Sequence, residues 1–177
     1  MNFLTRLTLV TSTLFVFNCA TAMGEWGKAP GGEDSYLADV NPEEAQRMLQ
    51  EDSRVVLLDV RSRAEYFFIG HPAGAVNIPL KFWDEDVYDW FQNPDFGDKV
   101  QERFTKDTPI IAMCKTGGRS RQAANLLAGL GFTRVYNMIE SFEGSADPVT
   151  GLRTANGWRN RGLPYTYQMN PELMYWP

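Results

Sequence analysis

Thr108-Pro109-Ile110-Ile111-Ala112-Met113-Cys114-Lys115-Thr116-Gly117-Gly118-Arg119-Ser120 is the stretch from which the fold can be read. Its first half is a short apolar run bounded by a proline, which predicts a buried strand. From Ser120 onward Ala123, Leu126, Leu127 and Leu130 recur at helical spacing until Gly129 and Gly131 stop the helix. Cys114 therefore stands in a glycine-hinged loop between a strand and a helix N-terminus, with Lys115 and Arg119 beside it. A thiol in such a place is biased toward the thiolate, because helix-terminal N–H groups and neighbouring cations both favour the anion. An inert buried cysteine would sit in apolar surroundings instead.

Upstream, Val55-Val56-Leu57-Leu58 is a second continuous apolar run. An extended segment apolar on both faces belongs inside a parallel sheet with helices on either side. Asp59, Val60 and Arg61 fall at its C-terminal end, where open α/β sheets place their ligands. Asn41-Pro42-Glu43-Glu44 reads as a capped helix start, and Ser62 as the cap of a short helix running through Glu65 and Phe68. Ala75 to Pro79 and Arg134 to Asn137 complete a set of short strands. Strands alternating with helices predict a single α/β layered domain.

The chain has 177 residues, a net charge of −5 and two cysteines, Cys19 and Cys114. Met1 to Ala22 carries Arg6, an apolar stretch from Leu7 to Phe17 and Ala20-Thr21-Ala22, the pattern of a secretory signal peptide. The apolar run is shorter than the roughly 20 residues of a spanning helix, and Asn18 is bulky for a lipid-anchor site at Cys19. Cleavage after Ala22 would remove Cys19 and the single charge of Arg6, so the net charge of −5 would become −6. Cys114 would be left without an intramolecular disulfide partner, which suits a reactive role in an exported, periplasmic protein. Residues 23–34, rich in Gly, Pro and charge, read as a flexible leader, and 35–177 as one domain. The acidic balance speaks against nucleic acid, and nothing after residue 22 is long and apolar enough to span a membrane. One histidine and no cysteine pair give no basis for a metal site, and no cofactor motif is present.

At this point the residues resemble the rhodanese (sulfurtransferase) family, over roughly Tyr36 to Tyr165. The matching pieces are Leu58-Asp59-Val60-Arg61 with Glu65-Tyr66, then Gly70-His71-Pro72-Ala73-Gly74-Ala75-Val76-Asn77-Ile78-Pro79. They continue with Cys114-x-x-Gly117-x-Arg119-Ser120, Ala128-Gly129-Leu130-Gly131-Phe132 with Val135-Tyr136, and Trp158 ahead of Gly162-Leu163-Pro164. The resemblance implies a three-layer α/β sandwich, a central parallel sheet of about five strands flanked by helices. It also implies a Cys114 that takes a sulfane sulfur from thiosulfate or a persulfide donor, becomes a persulfide and passes the sulfur to cyanide, a thiol or a protein. No cofactor is implied.

By position in the family motif, Arg61 and Lys115 are expected to contact the oxyanion end of the donor, with Arg119 third. The backbone of Thr116, Gly117, Gly118 and Ser120 would cradle the sulfur. Arg61 has an alternative partner in Glu65 one helical turn on, and Arg119 one in Asp59. Asp59 is read as structural, and His71 as a turn residue that organises its loop.

Two stretches exceed what the family pattern needs, 81–106 and 145–156. In the first, Trp83, Trp90 and Phe91 are expected to cover the sheet at helical spacing, or else to dock a cationic partner. The second follows the strand beside the catalytic one and is placed to overhang Cys114. The segment Pro171 to Pro177 is expected to pack back on the domain. Competing functions are a sulfur carrier or sensor for one dedicated partner, and a cysteine phosphatase or arsenate reductase. Those last enzymes place five residues between Cys and Arg where this chain has four, a tighter loop suited to a single sulfur atom. A thiol-disulfide oxidoreductase lacks a resolving thiol here.

Overall fold

The computed structural model describes residues 34–176, so the signal-peptide reading of 1–22 and all but the last residue of the leader lie outside it. Along the chain run β1 (Ala38–Val40), α1 (Pro42–Glu51), β2 (Val56–Asp59), α2 (Arg63–Phe68), β3 (His71–Pro72) and β4 (Val76–Asn77). Then come β5 (Lys81–Asp84), β6 (Asp89–Gln92), α3 (Phe96–Arg103), β7 (Ile110–Met113), α4 (Gly118–Gly129), β8 (Val135–Met138) and β9 (Tyr165–Thr166).

Five of these strands form one parallel sheet in the order β1-β8-β7-β2-β4. Successive side chains of a strand point to opposite faces, and here both faces are apolar. Leu58, Ile110 and Ala112 join one buried cluster with Phe96, Val100, Ala124 and Leu127 of α3 and α4. Leu57, Ile111 and Met113 join the other with Ala45 of α1, Tyr66 of α2 and Trp158. The continuous apolar runs thus have their cause in a sheet buried on both sides, and the architecture is the expected three-layer α/β sandwich.

The helix starts are locally encoded. Asn41 accepts the Glu44 N–H (2.9 Å) while Glu44 accepts the Asn41 N–H (2.8 Å). Ser62 and Glu65 do the same at α2 (3.1 and 3.0 Å). Each reciprocal pair satisfies two donors the helix leaves open.

The long stretch after β4 departs from the helical expectation for its aromatics. β5 and β6 form an antiparallel hairpin in which Phe82 faces Phe91 and Trp83 faces Trp90. The aromatics alternate with period two, so Phe82 reaches Tyr175 (5.9 Å between centroids) while Trp83 and Trp90 pair at 5.4 Å on the other side. Asp84 Oδ1 accepts the Asp86 and Val87 N–H groups, turning the chain between the strands. Trp83, Trp90 and Phe91 stay 40–48 % exposed and cover no part of the sheet.

Both ends of the described segment are tied down. Asp34, placed by sequence in the flexible leader, pairs with Arg121 and accepts from Asn125 on α4. At the other end Met174 and Tyr175 are buried, and Arg103 donates to the Glu172 and Met174 carbonyls.

Candidate functional site

Cys114 follows β7 directly, at the carboxyl end of the central strand. Its carbonyl accepts from Phe142 N–H and that of Lys115 from Glu143 N–H, so the chain after β8 holds the first residues of the loop in place. Gly117 then takes φ +104°, a left-handed conformation that glycine reaches without steric cost. This turn swings its N–H back onto the Cys114 Sγ at 3.1 Å and starts α4 at Gly118. The side chain ends up 1 % exposed at a helix N-terminus.

Burial pushes the Cys114 thiol up, but the hydroxyl and N–H of Ser120, the N–H of Thr116 and the charge of Arg119 outweigh it and hold the thiol below its ordinary range. The hydroxyl of Ser120 also meets Asn137 Oδ1 at 2.7 Å and the Gly117 carbonyl at 2.9 Å.

A cavity of about 590 Å³ opens over the sulfur. Lys115, Thr116, Gly118 and Arg119 line its floor, Lys81, Asp89 and Trp90 of the hairpin one wall, and Glu65, Gln122 and Arg153 the remainder. Four cations and two carboxylates give the cavity a net positive lining, suited to an anion entering toward the Cys114 sulfur.

The arginines are partnered differently from the sequence expectation. Arg61 lies fully buried, with Nε 2.9 Å and Nη2 2.6 Å from Asp59 oxygens, Nη2 2.8 Å from the Gly70 carbonyl and the guanidinium 4.4 Å over the Phe142 ring. Its expected role as donor contact is therefore corrected: Arg61 is not among the cavity-lining residues, and its partner is Asp59. Arg61 precedes the cap of α2 and lacks the helical backbone that a pair with Glu65 one turn on requires. The partner of Glu65 is Arg119 instead, through two hydrogen bonds of 2.7 and 2.6 Å, which corrects the pairing of Arg119 with Asp59. Arg119 also stacks over Trp90 at 5.1 Å.

His71 sits away from the cavity. Its ring stacks on Tyr66 at 3.5 Å, its Nδ1 lies 3.0 Å from the Tyr66 carbonyl, and its strand pairs with β9. It fastens the turn after α2. Among the described residues no cluster of His, Cys, Asp and Glu could hold a metal ion.

Lys81, Asp89, Trp90, Gln122 and Arg153 were not foreseen at the site. Reading Lys81-Phe82-Trp83 and Asp89-Trp90-Phe91 as alternating rather than helical was the signal that could have found the first three. Arg153 arrives through the loop at 145–156, whose ends are stapled where Arg153 donates to the Gly144 carbonyl at 2.6 Å. There Gly144 packs so close that an added Cβ would lie 2.1 Å from the Asn156 carbonyl oxygen.

The chain is similar to known proteins over most of this region. The family described as rhodanese-like domain matches residues 41–147. The chain is 33 % identical over 107 residues to thiosulfate sulfurtransferase 16, chloroplastic, of Arabidopsis thaliana, covering 60 % of this chain and 76 % of that protein. It is 32 % identical over 130 residues to thiosulfate sulfurtransferase GlpE of Actinobacillus succinogenes, covering 72 % of this chain and 89 % of that one. Among solved structures, the crystal structure of Rv0390 from M. tuberculosis matches with a TM-score of 0.65 at 34 % identity, over 75 % of this chain and 99 % of that chain.

Proposed function

This chain belongs to the rhodanese-like domain family, and on that premise we propose that it is a sulfurtransferase working through a persulfide on Cys114. The Cys114 thiolate attacks the sulfane sulfur of thiosulfate or of a persulfide donor. With thiosulfate, a new S–S bond forms at Cys114 as the S–S bond of the donor breaks, and sulfite leaves with the electron pair. The persulfide anion then gives its outer sulfur to cyanide, a thiol or a protein thiolate, which regenerates the Cys114 thiolate. Neither step moves a proton when both nucleophiles are ionised, so no general base is needed.

The observation that carries this reading is the Gly117 N–H, 3.1 Å from the sulfur, under a cavity with four cations. The N–H groups of the loop would stabilise charge on either sulfur of the persulfide, and Lys81, Lys115 and Arg153 would meet the oxyanion end of the donor. Arg119, held by Glu65, contributes its charge to the sulfur.

The experiment is the intact mass of the protein after thiosulfate and desalting, beside Cys114→Ala. A gain of one sulfur on the wild type alone, removed by cyanide, supports the reading. No gain, with Cys114 still alkylatable, rules out thiosulfate as donor. Stoichiometric loading followed by slow turnover with small acceptors favours a carrier for a dedicated partner. Export to the periplasm is part of the proposal, and N-terminal sequencing of the periplasmic protein tests it at Met23.

A further inference from the structure

The β5–β6 hairpin carries chemistry that the anion cavity does not use. Residues 82–92 hold four carboxylates, Asp84, Glu85, Asp86 and Asp89, and no cation. Among the described residues none of the four pairs with an arginine or lysine. Asp84 and Asp89 stand directly opposite each other across the two strands, where like charges are destabilising. In the turn between them Tyr88 takes φ +53° and leaves its ring 80 % exposed, a backbone that a residue with a Cβ disfavours. Both features cost the isolated fold stability.

The aromatic rings form a path. Tyr88 meets Trp83 edge-on at 6.5 Å, Trp83 meets Trp90 edge-on at 5.4 Å, and Arg119 at the Cys114 loop stacks over Trp90 at 5.1 Å. The path runs from the tip of the hairpin to the wall of the cavity over the sulfur. Aromatic faces attract lysine and arginine, as Arg119 does at Trp90. Carboxylates attract the same side chains. The hairpin therefore favours cations, whereas the cavity beside it, with four cations against two carboxylates, favours a small anion.

The two half-reactions at Cys114 need different partners, a donor and an acceptor. An anionic donor is drawn to the cavity and repelled by the hairpin. We propose that the β5–β6 hairpin is the docking surface for the sulfur acceptor, a protein whose reactive cysteine is flanked by lysine or arginine. Its basic side chains lie on Trp83 and Tyr88 and against the carboxylates of the tip, and its thiol enters the cavity beside Trp90. Flanking cations also lower the pKa of the acceptor cysteine and so supply the thiolate that attacks. The inference rests on the sulfur-transfer reading and names its acceptor class: the acceptor thiolate takes the outer sulfur of the persulfide, and the Cys114 thiolate leaves.

Two measurements test it. In the first, C114A, which cannot take up sulfur, is titrated with labelled peptides whose central serine lies between lysines, between glutamates or between further serines. In the second, wild type carrying one sulfur is mixed with the matching cysteine peptides, and its discharge is followed by intact mass. The lysine peptide is expected to bind about tenfold more tightly than the glutamate peptide, the combined effect of two exposed ion pairs and a cation–π contact. It should discharge the persulfide at a correspondingly lower concentration, and added salt should shrink the difference. Glu85 and Asp86 are exposed and lie outside the cavity lining, so E85K/D86K should reverse the preference with little change in the melting curve. Trp83→Ala should weaken binding of the lysine peptide about threefold.

Equal binding of the three peptides, or a preference that survives E85K/D86K, overturns the proposal. If the variants do not fold, the peptide series and its salt dependence in C114A decide the matter. A dimer of the chain that dissociates on Trp83→Ala assigns this face to a second copy and likewise overturns the proposal. Binding to C114A involves no sulfur, so failure of the wild type to load from thiosulfate counts against the persulfide reading and leaves the docking result standing.

Discussion

Arg119 and Glu65, 54 positions apart in the chain, meet side-on through two hydrogen bonds of 2.7 and 2.6 Å. The pair joins the first turn of α4, just behind Cys114, to the first turn of α2, where Glu65 also accepts the Ser62 N–H of the capping box. Both side chains are less than a fifth exposed. One carboxylate thus starts a helix and holds a cation beside the Cys114 loop.

Glu65→Gln keeps a residue able to serve in the capping box but removes the charge facing Arg119. Burial pushes the Glu65 carboxyl up, yet Arg119 and the Ser62 N–H more than offset this and depress it. A depressed acid contributes stability that is present above its unfolded pKa, about 4.3, and is lost as pH falls through the lower folded value. Urea unfolding should show E65Q weaker by about 1–3 kcal/mol at pH 7. The gap should narrow below pH 4. A gap that persists unchanged in acid would show that the charge is not the cause.

Asp59 and Arg61 form a fully buried ion pair. Asp59→Asn leaves the guanidinium without its counter-charge and is expected to destabilise the fold by about 3–5 kcal/mol. Replacing both residues with apolar ones of similar size should cost less than the single change, because no bare charge remains. Chemical denaturation of the wild type and the two variants checks the order.

His71 is buried against Tyr66, and burial lowers its pKa below 6.5 despite the Tyr66 carbonyl and Asp59, which act the other way. A base with a depressed folded pKa is protonated more readily when unfolded. Stability is therefore full above pH 6.5 and falls as pH drops through that value toward the folded one. Melting temperature measured from pH 7.5 to 5.5 should decline in the wild type and decline less in His71→Asn. Equal slopes would reject the assignment.

Trp90 is 40 % exposed and forms a wall of the cavity while stacking on Arg119. Trp90→Ala should change folding stability by about 1 kcal/mol or less, since it removes an exposed aromatic pair. The KM for a thiol acceptor should rise several-fold with little change in Cys114 loading. Unchanged acceptor kinetics would show that the hairpin merely flanks the site.

The reading of Cys114, its loop and the parallel sheet needed only the chain itself. The glycines of Gly117-Gly118 and the caps at Asn41 and Ser62 act through hydrogen bonds between residues a few positions apart, so their spacing is the structure, and the unbroken apolar runs of β2 and β7 mark strands buried on both faces whatever their partners. The alternation in Phe82-Trp83 and Trp90-Phe91 was equally local, but a run of aromatics fits a helix face nearly as well until the cross-strand partner is known. Which carboxylate each arginine meets belonged to the tertiary structure alone. Arg61 lies before the cap of α2, with its side chain turned back to Asp59, and Arg119 reaches Glu65 only because β7 lies beside β2 in the sheet. The walls contributed by Trp90 and Arg153 have the same origin. Spacing along the chain carries the short-range hydrogen bonds, whereas the distance between side chains tens of residues apart is set by how the sheet orders its strands.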